Sequence, residues 1–139
     1  MMKNHGFTLM ELMVVTVIIA TMVAIALPSY AHYVRKSHEK LVLQKIADVA
    51  LKLEKEKSRN FSYERFQQAN EDKTVTRSKT SNEVIYNIDT VSGFQNWSIV
   101  GCVNSSLPNA SQYKNFAENN KGRKCEWIDT NCSVPESCK

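Results

Sequence analysis

Glycine and proline are scarce, with four and three residues in a chain of 139. That excludes collagen-like, proline-rich and low-complexity classes. Histidine is also rare, and none follows His38. The cysteines lack paired CxxC knuckles: Cys102, Cys125, Cys132 and Cys138 are separated by 22, 6 and 5 residues. Such spacing argues against a zinc site. No GxSxG, HExxH, phosphate-binding loop or dinucleotide fingerprint occurs, so no enzyme and no cofactor are expected. His32 and His38 lie six apart, not the four that would let a helix share a metal between them. Both are read as surface residues, and no metal is assigned. A dense block of one charge is missing too. The net charge of +4 is spread as +3 over residues 29–57 and +1 over each of residues 58–83 and 114–139, while residues 84–113 hold only Asp89. That is not the basic stripe of a dedicated nucleic-acid binder.

What the chain does have is one long apolar run. Residues 12–27, LMVVTVIIATMVAIAL, carry no charge, and only Thr16 and Thr21 are polar. Phe7 to Leu27 makes 21 residues, close to the roughly 20 that span a bilayer as a helix. No small-residue cleavage site follows it. Leu27-Pro28-Ser29-Tyr30 leads straight into an amphipathic stretch, so the apolar segment is expected to be kept. Glu11 lies inside it. A carboxylate in hydrocarbon costs a few kcal/mol and usually has a partner and a role. An interfacial position in the first helical turn, favoured by the helix dipole, is the plainer explanation.

Gly6-Phe7-Thr8-Leu9-Met10-Glu11, with Lys3 before it and Pro28 and Tyr30 after the apolar run, resembles the processing signature of type IV pilins and pseudopilins. Ser29 to Ser37 continues in a similar way. The resemblance covers residues 3–30. It implies that residues 1–6 are a leader, cut between Gly6 and Phe7 by a prepilin peptidase, with N-methylation of Phe7. Residues 7–28 become the transmembrane and fibre-core helix, and residues 29–139 a periplasmic, later extracellular, domain. It also implies a single-pass inner-membrane protein that joins a fibre through an assembly platform. In the water-poor fibre core the Phe7 amine of one subunit is a cation, and Glu11 of a neighbour offers it a charge-assisted bond. Glu11 is therefore assigned to assembly register.

The implied fold is α+β: one long helix, apolar then amphipathic, packed on an antiparallel sheet of three or four strands with a disulfide-bonded C-terminal region. Pro28 is expected to kink the helix. Beyond it Val34, Leu41, Val42, Ile46, Val49, Ala50 and Leu53 keep helical spacing, and the helix should end near residues 57–60. In the polar segment 58–83, Phe61, Tyr63 and Phe66 are placed to pin a loop on the helix end. Strands are predicted over residues 84–88, 94–103 and 123–129, with helical character near residues 113–119. An even number of cysteines outside the cytosol reads as two disulfides. Three pairings are open, with Cys102–Cys125 and Cys132–Cys138 favoured.

Three roles compete: a structural subunit of a type IV pilus, minor before major (serving assembly, twitching motility, adhesion or DNA uptake), a DNA-receptor pilin, or a pseudopilin of a type II secretion system. For DNA, the candidate contacts are Lys73, Arg77, Lys79, Lys114, Lys121, Arg123 and Lys124, interspersed with acids. A calcium site at Asp129, Asn131 and Glu136 lacks a ligand-loop signature.

Overall fold

The structure, a computed structural model, describes residues 6–78 and 80–138. Lys79, one of the candidate DNA contacts, lies outside them. One helix, α1 (Leu9–Asn60), is followed by five strands: β1 (Thr74–Thr76), β2 (Val84–Ser92), β3 (Trp97–Val103), β4 (Asn115–Asn119) and β5 (Lys124–Trp127). All pair antiparallel in the order β1-β2-β3-β4-β5. The chain divides into two compact units, one up to Lys36 and one from Ser37 onward.

In the first unit the helix runs through Pro28 without ending. Its apolar side chains are exposed all round, from Val15 at 43% to Leu9 at 80%. The two polar residues are satisfied locally. Thr16 and Thr21 each donate their hydroxyl to the carbonyl three residues back, at 2.8 Å. A helix that is apolar on every face needs lipid or other helices around it. By length and composition it can cross a membrane.

In the second unit α1 buries Val42, Ile46, Val49 and Leu53, spaced four, three and four apart. This stripe packs on β2 and β3, where Ile85, Ile88 and Ile99 are fully buried. Each such side chain contributes about 1.5–3 kcal/mol by leaving water. Gly101 of β3 sets the approach. A Cβ there would stand 2.8 Å from a Val42 methyl and 3.2 Å from one of Ile46. Two expectations for this helix fail. Leu41 is 40% exposed rather than buried. His38, read as a surface residue, is 6% exposed and stacks on Tyr113, with ring centroids 6.1 Å apart.

Five strands form where three or four were expected. Thr74–Thr76 is too short to stand out in a polar loop. Asn115–Asn119 reads NFAEN, a poor strand sequence, and was expected to be helical. It is a strand because β3 and β5 supply backbone partners on both of its edges; tertiary pairing overrides weak propensity.

The missed strand also explains the disulfides. The pairs are Cys102–Cys132 and Cys125–Cys138, with Cα separations of 5.6 and 5.8 Å, not Cys102–Cys125 and Cys132–Cys138. Cys102 is on β3 and Cys125 on β5, with β4 between them. Two inter-strand steps amount to about 9–10 Å, beyond the roughly 7 Å a disulfide can bridge. Cys125 faces Ala117, which in turn faces Val100. Gly101 points at the helix, so Cys102 points to the other face. The C-terminal tail folds back across that outer face and is pinned to β3 and β5.

Candidate functional site

The N-terminal segment is built from its cap upward. Thr8 precedes the first helical residue, and its Oγ1 accepts the Glu11 N–H at 3.2 Å. Its carbonyl accepts the Leu12 N–H, also at 3.2 Å. Thr8-Leu9-Met10-Glu11 thus has the spacing of a capping box, with the acid at the third helical position. The carboxylate of Glu11 lies in the first turn, where the positive end of the helix dipole favours it. Phe7 stands just before the cap and is exposed. The Thr8 cap thus holds Glu11 in the first turn, where it is exposed.

The globular unit is held to its helix by acids that sequence reasoning did not single out. Glu54 Oε1 accepts both the Tyr63 hydroxyl and the Trp97 indole N–H, each at 2.9 Å. Lys57 sits over the Tyr63 ring, 4.8 Å from its centroid. The loop after the helix is thus anchored by Tyr63, while Phe61 is 78% exposed. Asp72, only 2% exposed, takes Lys45 at 3.1 Å and Lys52 at 2.5 Å. These lysines are seven residues apart, two turns on one face of α1. Burial alone would raise the Asp72 carboxyl, but the hydrogen bonds and charges of Lys52 and Lys45 outweigh it and hold it below its usual value. Gln68 donates to the carbonyls of Asp72 and Ile88 at 3.0 and 3.1 Å, tying this loop to β2.

A second buried polar group joins the far end of the sheet. The Tyr113 hydroxyl lies 3.2 Å from His38 Nδ1. Tyr86 donates to the Lys114 carbonyl at 2.9 Å, and Glu39 accepts the Lys114 N–H at 3.4 Å. Burial lowers the His38 pKa, as does Arg77, against an opposing effect of Glu83. Burial raises that of Tyr86 strongly. Asn115 is fully buried. Its oxygen accepts the Val103 N–H at 2.8 Å, and its amide donates to the Asp129 carbonyl at 2.6 Å. No periodicity reveals such groups in advance, because each is defined by partners 12 to 75 residues away in the chain.

The candidate DNA contacts do not converge. Lys73 and Arg77 flank β1, one edge of the sheet, whereas Lys121 and Arg123 lie in the β4–β5 turn and Lys124 opens β5, the other edge. Four inter-strand steps separate those edges, roughly 19 Å. Arg77 pairs with Glu83 at 2.9 Å, Lys114 with Glu126 at 2.8 Å and Lys124 with Glu118 at 3.5 Å. Among the described residues, no three His, Cys, Asp or Glu side chains are placed to hold a metal ion. The Asp129 carboxylate instead accepts the N–H groups of Asn131 and Ser133 at 3.1 and 2.9 Å, which hold its pKa down. It shapes the turn that carries Cys132.

Comparison with known proteins agrees with the N-terminal geometry. Residues 1–27 match the family model described as the prokaryotic N-terminal methylation motif. The chain is also similar to a probable minor fimbrial protein of Dichelobacter nodosus, with 43% identity over 54 residues. That match covers 39% of this chain and 34% of the relative, so the chain spans about a third of the length of the curated relative it matches. No solved structure gives a significant match. The two matches support the resemblance to a type IV minor pilin.

Proposed function

We propose that this chain is a minor structural subunit of a type IV pilus, assembled through its N-terminal helix. The observation that carries the reading is a helix apolar on every face, capped by Thr8, with one carboxylate in its first turn and Phe7 open before it. A prepilin peptidase cuts between Gly6 and Phe7, and methylation follows at Phe7. Lys3 and His5 keep the leader cytoplasmic, so the domain from residue 29 faces the periplasm. There the two disulfides form. The inner-membrane assembly platform then transfers the subunit from bilayer to fibre.

The Phe7 amine enters the fibre core as a cation. A buried ion pair adds little net stability, but one partner left alone is strongly unfavourable, by about 3–5 kcal/mol. Only the stagger that places the amine against a neighbour's Glu11 avoids that penalty. Glu11 therefore selects register and catalyses nothing. A structural role is favoured over DNA reception because the basic residues divide between opposite sheet edges and three of them pair with acids.

The test is Glu11→Ala. Membrane insertion should persist, since removing the carboxylate makes insertion easier. Incorporation into sheared fibres should fall. Normal incorporation would contradict the register role.

A further inference from the structure

Three segments of the second unit meet at one end of its sheet. The β2–β3 and β4–β5 turns lie side by side there; Asn120 of one donates its side-chain amide to the Gln95 carbonyl of the other at 2.9 Å. The end of α1 joins them. The Tyr63 N–H donates to the Phe94 carbonyl at 3.4 Å, and Asn60, Ser62 and Phe94 line a cavity of about 310 Å³. Residues 57–62, 91–96 and 119–124 read KSRNFS, VSGFQN and NNKGRK, with five Lys or Arg and no Asp or Glu. Three of those cations have contacts within the fold. Lys57 sits over the Tyr63 ring, Lys124 pairs with Glu118 and Arg123 reaches the Ser137 carbonyl. Arg59 and Lys121 are exposed. Glu64 and Arg65, which complete the cavity lining, balance one another.

The same end presents three large apolar side chains to water. Phe61 is 78% exposed, Val91 70% and Phe94 59%. Phe61 is the most telling of them. Its φ is +55°, in the left-handed region that a helix end usually gives to glycine or asparagine. Its N–H closes the helix on the Lys57 carbonyl at 2.7 Å. Glycine would make that bond without the steric cost of a Cβ. The Phe61 side chain thus adds backbone strain and buries little of its own area in the fold. A bulky residue held this way at a surface marks a functional position.

We propose that this end of the second unit docks on an anionic lipid bilayer. Phe61, Val91 and Phe94 enter the boundary between headgroups and acyl chains, while Arg59 and Lys121 meet the phosphates. The long stems of Arg and Lys keep their charges at headgroup level as the apolar groups go deeper. Charge complementarity selects the anionic surface, because the three segments hold no carboxylate that it would repel. A single-stranded nucleic acid would instead need stacking platforms in series along a basic groove. Here the apolar side chains stand on two separate segments, and Val91 has no ring to stack.

The test holds the full chain in phosphatidylcholine nanodiscs, so that its apolar helix stays in one bilayer, and floats them with separate vesicles. Equimolar phosphatidylcholine–phosphatidylglycerol vesicles should capture the chain at least about tenfold more strongly than phosphatidylcholine vesicles. Empty nanodiscs should stay behind. Arg59→Ala/Lys121→Ala should weaken capture by the anionic vesicles about tenfold. Phe61→Gly/Phe94→Ser should weaken it by at least about tenfold. Added salt should weaken it as well. Phe61→Gly alone should unfold at or above the parent's temperature, which separates lost docking from lost folding. No capture, equal capture by both kinds of vesicle, or capture that survives either pair of changes would overturn the proposal. So would an oligothymidylate that binds the chain, displaces the vesicles and is itself weakened by the phenylalanine changes, which would assign the surface to nucleic acid.

Discussion

Asp72→Ala and the pair Lys45→Met/Lys52→Met divide one interaction from opposite sides. Asp72 is 2% exposed, while Lys45 and Lys52 are 28% and 46% exposed. Removing the carboxylate leaves two ammonium groups that can turn back to water. The loss is then two charge-assisted bonds discounted for exposure, about 1–2 kcal/mol. Removing both lysines leaves a buried carboxylate without a cation, at about 3–5 kcal/mol. For a unit of this size, 1 kcal/mol moves Tm by roughly 4–8 °C, so a gap of about 1–4 kcal/mol should separate the two variants by at least about 4 °C. Thermal unfolding of the full chain, followed by near-ultraviolet circular dichroism at pH 7, measures this. The pH dependence should also change sign. In the parent the folded Asp72 pKa lies below its unfolded value near 3.9. Its contribution is complete above about pH 5 and is lost as pH falls through the folded value. Without the lysines burial dominates and raises that pKa, so the variant should gain stability relative to the parent as pH falls. If Asp72→Ala were as costly as the double lysine change, or both kept the same pH slope, the clamp as described would be wrong.

Gly101→Ala should cost about 1–3 kcal/mol in the same assay, because the new methyl meets Val42 and Ile46. Proteolytic mapping without reduction should recover Cys102 joined to Cys132 and Cys125 joined to Cys138. Cys102→Ser/Cys132→Ser should lower stability by about 2–4 kcal/mol. The folded His38 pKa lies below its unfolded value. His38 therefore contributes a loss of stability as pH falls below about 6.5, and His38→Phe should flatten the pH profile there. Glu54→Leu should expose the Trp97 indole to a changed environment and free the loop at Tyr63. The readouts are a shifted fluorescence maximum and faster proteolysis near residues 61–66.

The helix was legible because its signals are local. An uninterrupted apolar run and a three-to-four spacing from Val42 to Leu53 each lie within a few turns. β2 and β3 were legible because their residues are strand formers facing a core. β4 was not, since nothing in NFAEN favours extension until β3 and β5 flank it. That single omission carried forward: with β4 absent, Cys102 and Cys125 stand on adjacent strands and pair. His38 was misread because its stacking partner, Tyr113, is 75 residues away. The basic residues scattered along the chain left convergence open, and the sheet order put them on opposite edges.

The central claim is that this chain is processed at Phe7 and built into a fibre. The most direct measurement is intact mass spectrometry of the protein recovered from sheared pili. The account requires a chain beginning at Phe7, carrying one added methyl group and lacking four hydrogens for the two disulfides. A chain in those fibres still beginning at Met1, one beginning beyond residue 28, or absence of the protein from the fibres would contradict it.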